Sequence, residues 1–343
     1  MSGGAVTLGA DAPPAFRVGR SFINPAFDLL VIGSVASLLM TPLLLSDGGM
    51  NPLARRLDAA LPLLVLVCNS AHFAASTVRL YSRPRAFEDL PFLTMGFPLV
   101  TLLVLTVSIA FATQLGAGLQ TLYLTWSPYH YGAQAYGLTL IYAYRSGCTL
   151  ADTDKKLLRV ACLLPFLAAV VSGRTLLGLS LVPERLLLTK ALAVVTLALP
   201  IVVFARLAAR RDATLPLMSL AVLTSNAVWL ITLNEAGAFA WATIFHGLQY
   251  LAIVTIFHVK DQLARPDNTR GWLSHAALFY LACLTLGYLL FQIWPFAYVL
   301  LGFGVAESML MVAAVINLHH FIVDAYIWKL RQAPNLKIVT SAA

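Results

Sequence analysis

Residues 237–260 read Gly-Ala-Phe-Ala-Trp-Ala-Thr-Ile-Phe-His-Gly-Leu-Gln-Tyr-Leu-Ala-Ile-Val-Thr-Ile-Phe-His-Val-Lys, with no formal charge before Lys260. At 1.5 Å per residue, a helix of this length crosses the roughly 30 Å hydrocarbon core of a bilayer. In lipid a single segment satisfies its own backbone donors and acceptors only as a helix. Working outward, runs of the same kind fall at 27–46, 58–82, 92–113, 117–144, 157–178, 186–207, 214–233, 272–291 and 304–331. They are too long for strands and do not alternate, which argues against a β-barrel. Residues 292–303 fit either a short interfacial segment opened by Trp294-Pro295-Phe296 or an early start to the last span.

Composition agrees with this reading. Of 343 residues only 11% are charged, 59% are hydrophobic, and mean hydropathy is +0.81. So little charge cannot coat a water-soluble globule of this size, where about a quarter of residues are normally charged. That excludes a soluble enzyme, a nucleic-acid binder and a disulfide-stapled secreted scaffold. The expected fold class is an all-α integral membrane protein of about ten transmembrane helices. Residues 26–331 form the polytopic domain, between cytoplasmic tails at 1–25 and 332–343. No internal repeat is evident.

The net charge of +8 records orientation. With ten spans, one side holds Arg55, Arg56, Arg174, Arg185 and Lys190. The other holds the remaining 18 of the 23 Lys and Arg, among them Arg79, Arg83, Arg145, Lys260 and Lys329. The positive-inside rule then places both termini in the cytoplasm of a bacterial-type plasma membrane. The first 25 residues contain no apolar core and read as a tail, not a cleavable signal. Cys68, Cys148, Cys162 and Cys283 show no paired spacing, which argues against a disulfide framework, and read as buried thiols.

The histidines carry the chemistry. Ionisable groups at membrane depth are rare and face the protein interior. His72, His130, His246 and the pair His319-His320 fall on the second, fourth, eighth and tenth runs, which all cross in one direction. Counting to the next basic anchor gives 11 residues from His72 to Arg83, 15 from His130 to Arg145, 14 from His246 to Lys260 and 9 from His320 to Lys329. These depths agree within about 9 Å, so four parallel helices present imidazole at one level. A lone intramembrane His is often just an interhelical hydrogen bond, but four at one depth suit a transition metal. His258 and His275 lie at helix ends and read as interfacial. Glu235 reads as a turn residue.

Polar neighbours at helical spacing complete the candidate site. Asp324 is four residues after His320, where a carboxylate can orient an imidazole. Gln134 follows His130 by four, and Tyr250 follows His246 by four. Cys68, Asn69 and Ser76 flank His72. Tyr131, Gln134 and Tyr250 are expected to line the pocket. His72, His130, His246, His320 and His319 are the candidate ligands. Imidazole suits iron, copper, zinc or nickel; four His with no obligatory carboxylate fit a mononuclear iron with open positions for oxygen, and the His alone do not separate iron from copper or zinc.

The segments His72-Phe73-Ala74, His130-Tyr131-Gly132-Ala133-Gln134, His246-Gly247-Leu248 and His319-His320-Phe321-Ile322-Val323-Asp324 resemble motifs of the Brp/Blh family. Its members are integral-membrane dioxygenases that cleave β-carotene to retinal with spaced His thought to hold one ferrous ion. Ala71 stands here where Pro normally precedes the first His. The resemblance implies His72, His130, His246 and His320 as iron ligands and a carotenoid-like, lipophilic substrate.

Three other readings stay open at this point. Two facing His can clamp a haem b, and copper suits imidazole as well. A transporter can use His and Asp as a relay, although no broken helix pair is legible. A structural subunit of a larger membrane assembly would use the His only for packing.

Overall fold

A computed structural model describes residues 17–44, 52–172, 184–209, 214–233, 235, 237–328 and 338–339. Most of both expected tails, and the charges of Arg174, Lys329, Arg331 and Lys337, lie outside the described residues. In chain order the main helices are α1 (Pro25–Ile32), α2 (Val35–Leu44), α3 (Arg55–Tyr81), α4 (Phe92–Ala110), α5 (Ala112–Arg145), α6 (Asp152–Ser172), α7 (Leu187–Ala208), α8 (Leu217–Ile231), α9 (Ala238–Leu263), α10 (Trp272–Leu300) and α11 (Val305–Ile327). The only sheet among the described residues is a two-residue parallel pairing of β1 (Arg17–Val18) with β2 (Thr214–Leu215). The protein is all-α.

Among the described residues, six helices are long and apolar enough to cross a membrane: α3, α4, α7, α9, α10 and α11. The bent pair α1 and α2 makes a seventh if counted as one span. Three expected spans fall short of that standard for identifiable reasons. α5 has 34 residues but carries Gln114, Gln120, Ser127, His130 and Gln134. α6 opens on Asp152, Asp154, Lys155, Lys156 and Arg159, and 173–178 lie outside the described residues. α8 is only 15 residues long.

The first apolar run is not one straight helix. α1 and α2 meet at 45° around Gly33 and Ser34, and Ser34 takes a positive φ of 58°. The break frees backbone carbonyls, and buried side chains take them up. Gln249 Nε2 donates to the Ile32 carbonyl at 2.5 Å and Ser225 Oγ to the Gly33 carbonyl at 3.2 Å. Ser37 Oγ donates to the Ser34 carbonyl at 2.6 Å, and itself accepts from Trp229 Nε1 at 2.9 Å. Irregular backbone at membrane depth survives only with such partners. Asp28, fully buried, fixes the entry to α1. It accepts from the Phe22 and Ile23 amides at 2.6 and 3.1 Å and from the Tyr142 hydroxyl at 2.7 Å.

α3, α5, α9 and α11 pack against one another around the histidines. α3 contains a wide π turn at Val65–Ser70, immediately before His72. Such a turn adds a residue to the helical repeat and rotates the side chains beyond it to a new bearing. Two glycines clamp it. A Cβ on Gly247 would sit 2.9 Å from the Cys68 carbonyl oxygen, and one on Gly287 would sit 2.5 Å from that of Ser70. Only glycine lets the α9 and α10 backbones approach this closely. At the far end, α10 continues through another wide turn at Leu289–Ile293 to Leu300, so residues 292–300 extend the ninth run instead of beginning the last. The wide turn accommodates the ring of Pro295.

Candidate metal centre

The structure brings four imidazoles together. His72 projects from α3, His130 from α5, His246 from α9 and His320 from α11, and all four are buried. Their rings form a quadrilateral. Centroids stand 4.8 Å apart for His72–His246, 5.1 Å for His246–His130, 5.1 Å for His130–His320 and 4.4 Å for His320–His72. Along each side the planes are nearly perpendicular, and the diagonal His72–His130 is 6.3 Å.

One nitrogen from each of His72, His130 and His320 lies within 4.8 Å of the others. His246 borders both His72 and His130 but is outside that tight trio. An ion bound by imidazole at about 2.0–2.1 Å sets neighbouring nitrogens roughly 3 Å apart and opposite ones roughly 4 Å apart. His320 Nε2 and His130 Nε2, at 3.3 Å, already have that spacing. Among the described residues, both ring nitrogens of His72 and Nε2 of His246 are buried without a hydrogen-bond partner. A buried imidazole with no partner for either nitrogen costs free energy, and coordination to a metal would satisfy one of the two. The donor set therefore fits a transition metal.

The supporting contacts differ in part from those expected. His320 Nδ1 is bonded to Ser76 Oγ at 2.9 Å, across from α3. This hydroxyl, not Asp324, orients the His320 ring. Asp324 instead accepts from the Tyr250 hydroxyl, which in turn accepts from Trp328 Nε1 at 3.1 Å. Tyr250 packs edge-on against His72 at 4.7 Å, so Asp324 reaches the histidines only through that ring. Gln134 Nε2 donates to Gln249 Oε1 at 3.1 Å and to the His246 carbonyl at 3.4 Å, bracing α5 on α9. Tyr131 pairs with Thr243 Oγ1 at 2.8 Å. His319 points away from the trio and stacks on Phe97 of α4 at 4.7 Å.

Each imidazole is also walled by an aromatic ring from a different helix. Phe73 of α3 packs on His320 at 5.0 Å and Phe321 of α11 on His130 at 4.5 Å. Tyr131 of α5 packs on His246 at 4.2 Å and Tyr250 of α9 on His72 at 4.7 Å. Three of these aromatics directly follow a histidine in the sequence, a visible signal, yet each serves the histidine of another helix. Phe73, Phe321, Ser76 and Trp328 thus join the site as its structural shell. A small cavity of about 40 Å³ adjoins it, lined in part by Tyr131, Ser225, Trp229, His246 and Gln249.

Comparison with known proteins gives no family model, no curated protein and no solved structure that matches this chain.

Proposed function

We propose that this protein is a membrane-embedded, metal-dependent oxygenase acting on a lipophilic, unsaturated substrate, with ferrous iron as the metal. The observation that carries the reading is the buried quadrilateral of His72, His130, His246 and His320, in which His72 has, among the described residues, no hydrogen-bond partner for either nitrogen. Ferrous iron would supply the site at which dioxygen reacts, its two atoms passing to the two carbonyl carbons made when a C=C bond breaks, so that no outside reductant is consumed.

The protein's residues hold and shield. Ser76 fixes the ring of His320, and the four flanking aromatics exclude water. An ion fits better than a haem, because Phe73, Phe321, Tyr131 and Tyr250 occupy the ring flanks that a porphyrin would need. The cavity beside His246 has room for water or dioxygen but not for a polyene, because one water needs about 10–15 Å³ by the same measure. Admission of a long chain requires helices to part, and the broken α1–α2 pair beside that cavity is where we place the movement. The carotenoid character of the substrate rests on the Brp/Blh resemblance. In this reading α5, α6 and α8 complete ten spans, with both termini cytoplasmic.

Elemental analysis of detergent-purified protein tests the assignment. About one iron per chain is expected, falling to background in His72→Ala, His130→Ala and His320→Ala. Full iron occupancy in His130→Ala or His246→Ala would sink it.

A further inference from the structure

A second polar concavity lies where α3 ends, α9 ends and α10 begins, well apart in role from the histidine quadrilateral. Its volume is about 340 Å³, within the range of small-ligand sites. Three helix faces build it at regular spacing. α3 contributes Val78 and Ser82; α9 and the turn after it contribute His258, Gln262 and Arg265; α10 contributes His275, Phe279 and Ala282. Arg270, from the same turn, closes the rim.

The turn is held in shape. Asn268 Oδ1 accepts from the Arg270 amide at 3.1 Å and pairs with His275 Nε2 at 2.7 Å. Arg265 Nη2 donates to the Ser82 carbonyl at 2.8 Å, tying the turn to α3. His258 stacks on Phe279 at 4.3 Å and floors the cavity. Two guanidinium groups and two imidazoles therefore converge on one space. Among the described residues, neither Arg265 nor Arg270 pairs with a carboxylate. The nearby Asp261 is held by Arg79 at 3.0 Å, and Asp267 on the same turn is exposed.

We propose that this pocket binds a phosphate group, presented by an anionic membrane lipid. Guanidinium forks match phosphate oxygens, and basic pockets between transmembrane helices hold anionic head groups. The lipid source is set by the other wall. Val78, Leu278, Phe279 and Ala282 are apolar, and the wall continues onto exposed Leu278 and Leu281 of α10. Free phosphate gains nothing from such a surface, whereas the first carbons of an acyl chain do. The inference does not depend on the metal reading.

The test titrates full-length protein in neutral detergent with phosphatidylglycerol, phosphatidylcholine and inorganic phosphate, counting bound molecules by native mass spectrometry. Phosphatidylglycerol should bind most tightly, inorganic phosphate more weakly, and phosphatidylcholine least. Arg270→Gln, at an exposed position, should weaken phosphatidylglycerol about fivefold, and the double variant with Arg265→Gln about thirtyfold. Iron content should stay unchanged in both. Inorganic phosphate binding as tightly as the lipid, and lost in the same variants, would keep the phosphate site and assign free phosphate as its ligand. Wild-type affinity for phosphatidylglycerol in the double variant, or equal binding of phosphatidylcholine, would overturn the proposal.

Discussion

α9 and α10 are neighbours in sequence and both are long and apolar enough to cross a membrane, yet they have different surroundings. In the most apolar 18-residue stretch of each, 78% of α9 is buried in the protein but only 17% of α10. The buried helix is the less hydropathic of the two. Water-soluble proteins sort the other way. In a bilayer lipid is as apolar as any core, so apolar surface gains little by turning inward. What does gain is the polar face. Thr243, Gln249 and Tyr250 on α9 find partners inside, while α10 offers Leu278, Leu281, Leu289 and Ile293 to the exterior.

That contrast can be attacked at several points, beginning where the effect should be largest. His319 and His320 are adjacent but meet different helices, His319 stacking on Phe97 of α4 and His320 facing His72 and His130. His320→Ala should abolish bound iron, while His319→Ala should leave it near the wild-type level in the same elemental analysis. Equal loss in both would mean that the inward face of α11 has been misidentified.

The next largest effect concerns packing. Ile253→Ala on α9 should lower stability by about 1–3 kcal/mol, the cavity part of what this truncation costs in water. Leu281→Ala on α10 should stay within about 0.5 kcal/mol. Thermal unfolding in a fixed detergent compares them, and matching losses would erase the distinction between the two helices. Ser76→Ala removes the partner of His320 Nδ1 and should weaken iron binding about 10–100-fold, measured by chelator competition, without changing the ligand count. The smallest effect is expected for Tyr250→Phe. It deprives buried Asp324 of a donor and should cost about 1–2 kcal/mol, with less loss when Asp324→Asn is combined with it.

Much of this is legible in the sequence, for a physical reason. Lipid enforces charge poverty, so the few ionisable groups at depth stand out, and composition and direction alone pick out the histidines on alternate runs. Partnerships are less visible. Ser76 stands one turn from His72 in the sequence, but it serves His320, 244 residues away. Asp324 sits one turn from His320 yet is committed to Tyr250. Spacing along a helix says which residues share a face. It does not say which helix that face meets, because rotation is set by distant contacts such as Gly247 on Cys68. The break at Gly33–Ser34 is hidden because its carbonyls are satisfied by Gln249 and Ser225, far off in the chain. Helix α5 shows the limit of hydropathy itself: its second half, from Ser127 to Arg145, is largely buried and need not be apolar throughout.

The imidazole quadrilateral also has a history written into its connectivity. Its corners sit on α3, α5, α9 and α11, and the ribosome delivers α11 after all the others. Until residue 320 has left the ribosome and α11 has docked, His130 lacks the neighbour 3.3 Å from its Nε2 and Ser76 has no imidazole to orient. Completion of the site therefore waits for the last helix. A nascent chain stalled before Val305 would carry three of the four corners and still be unable to close it.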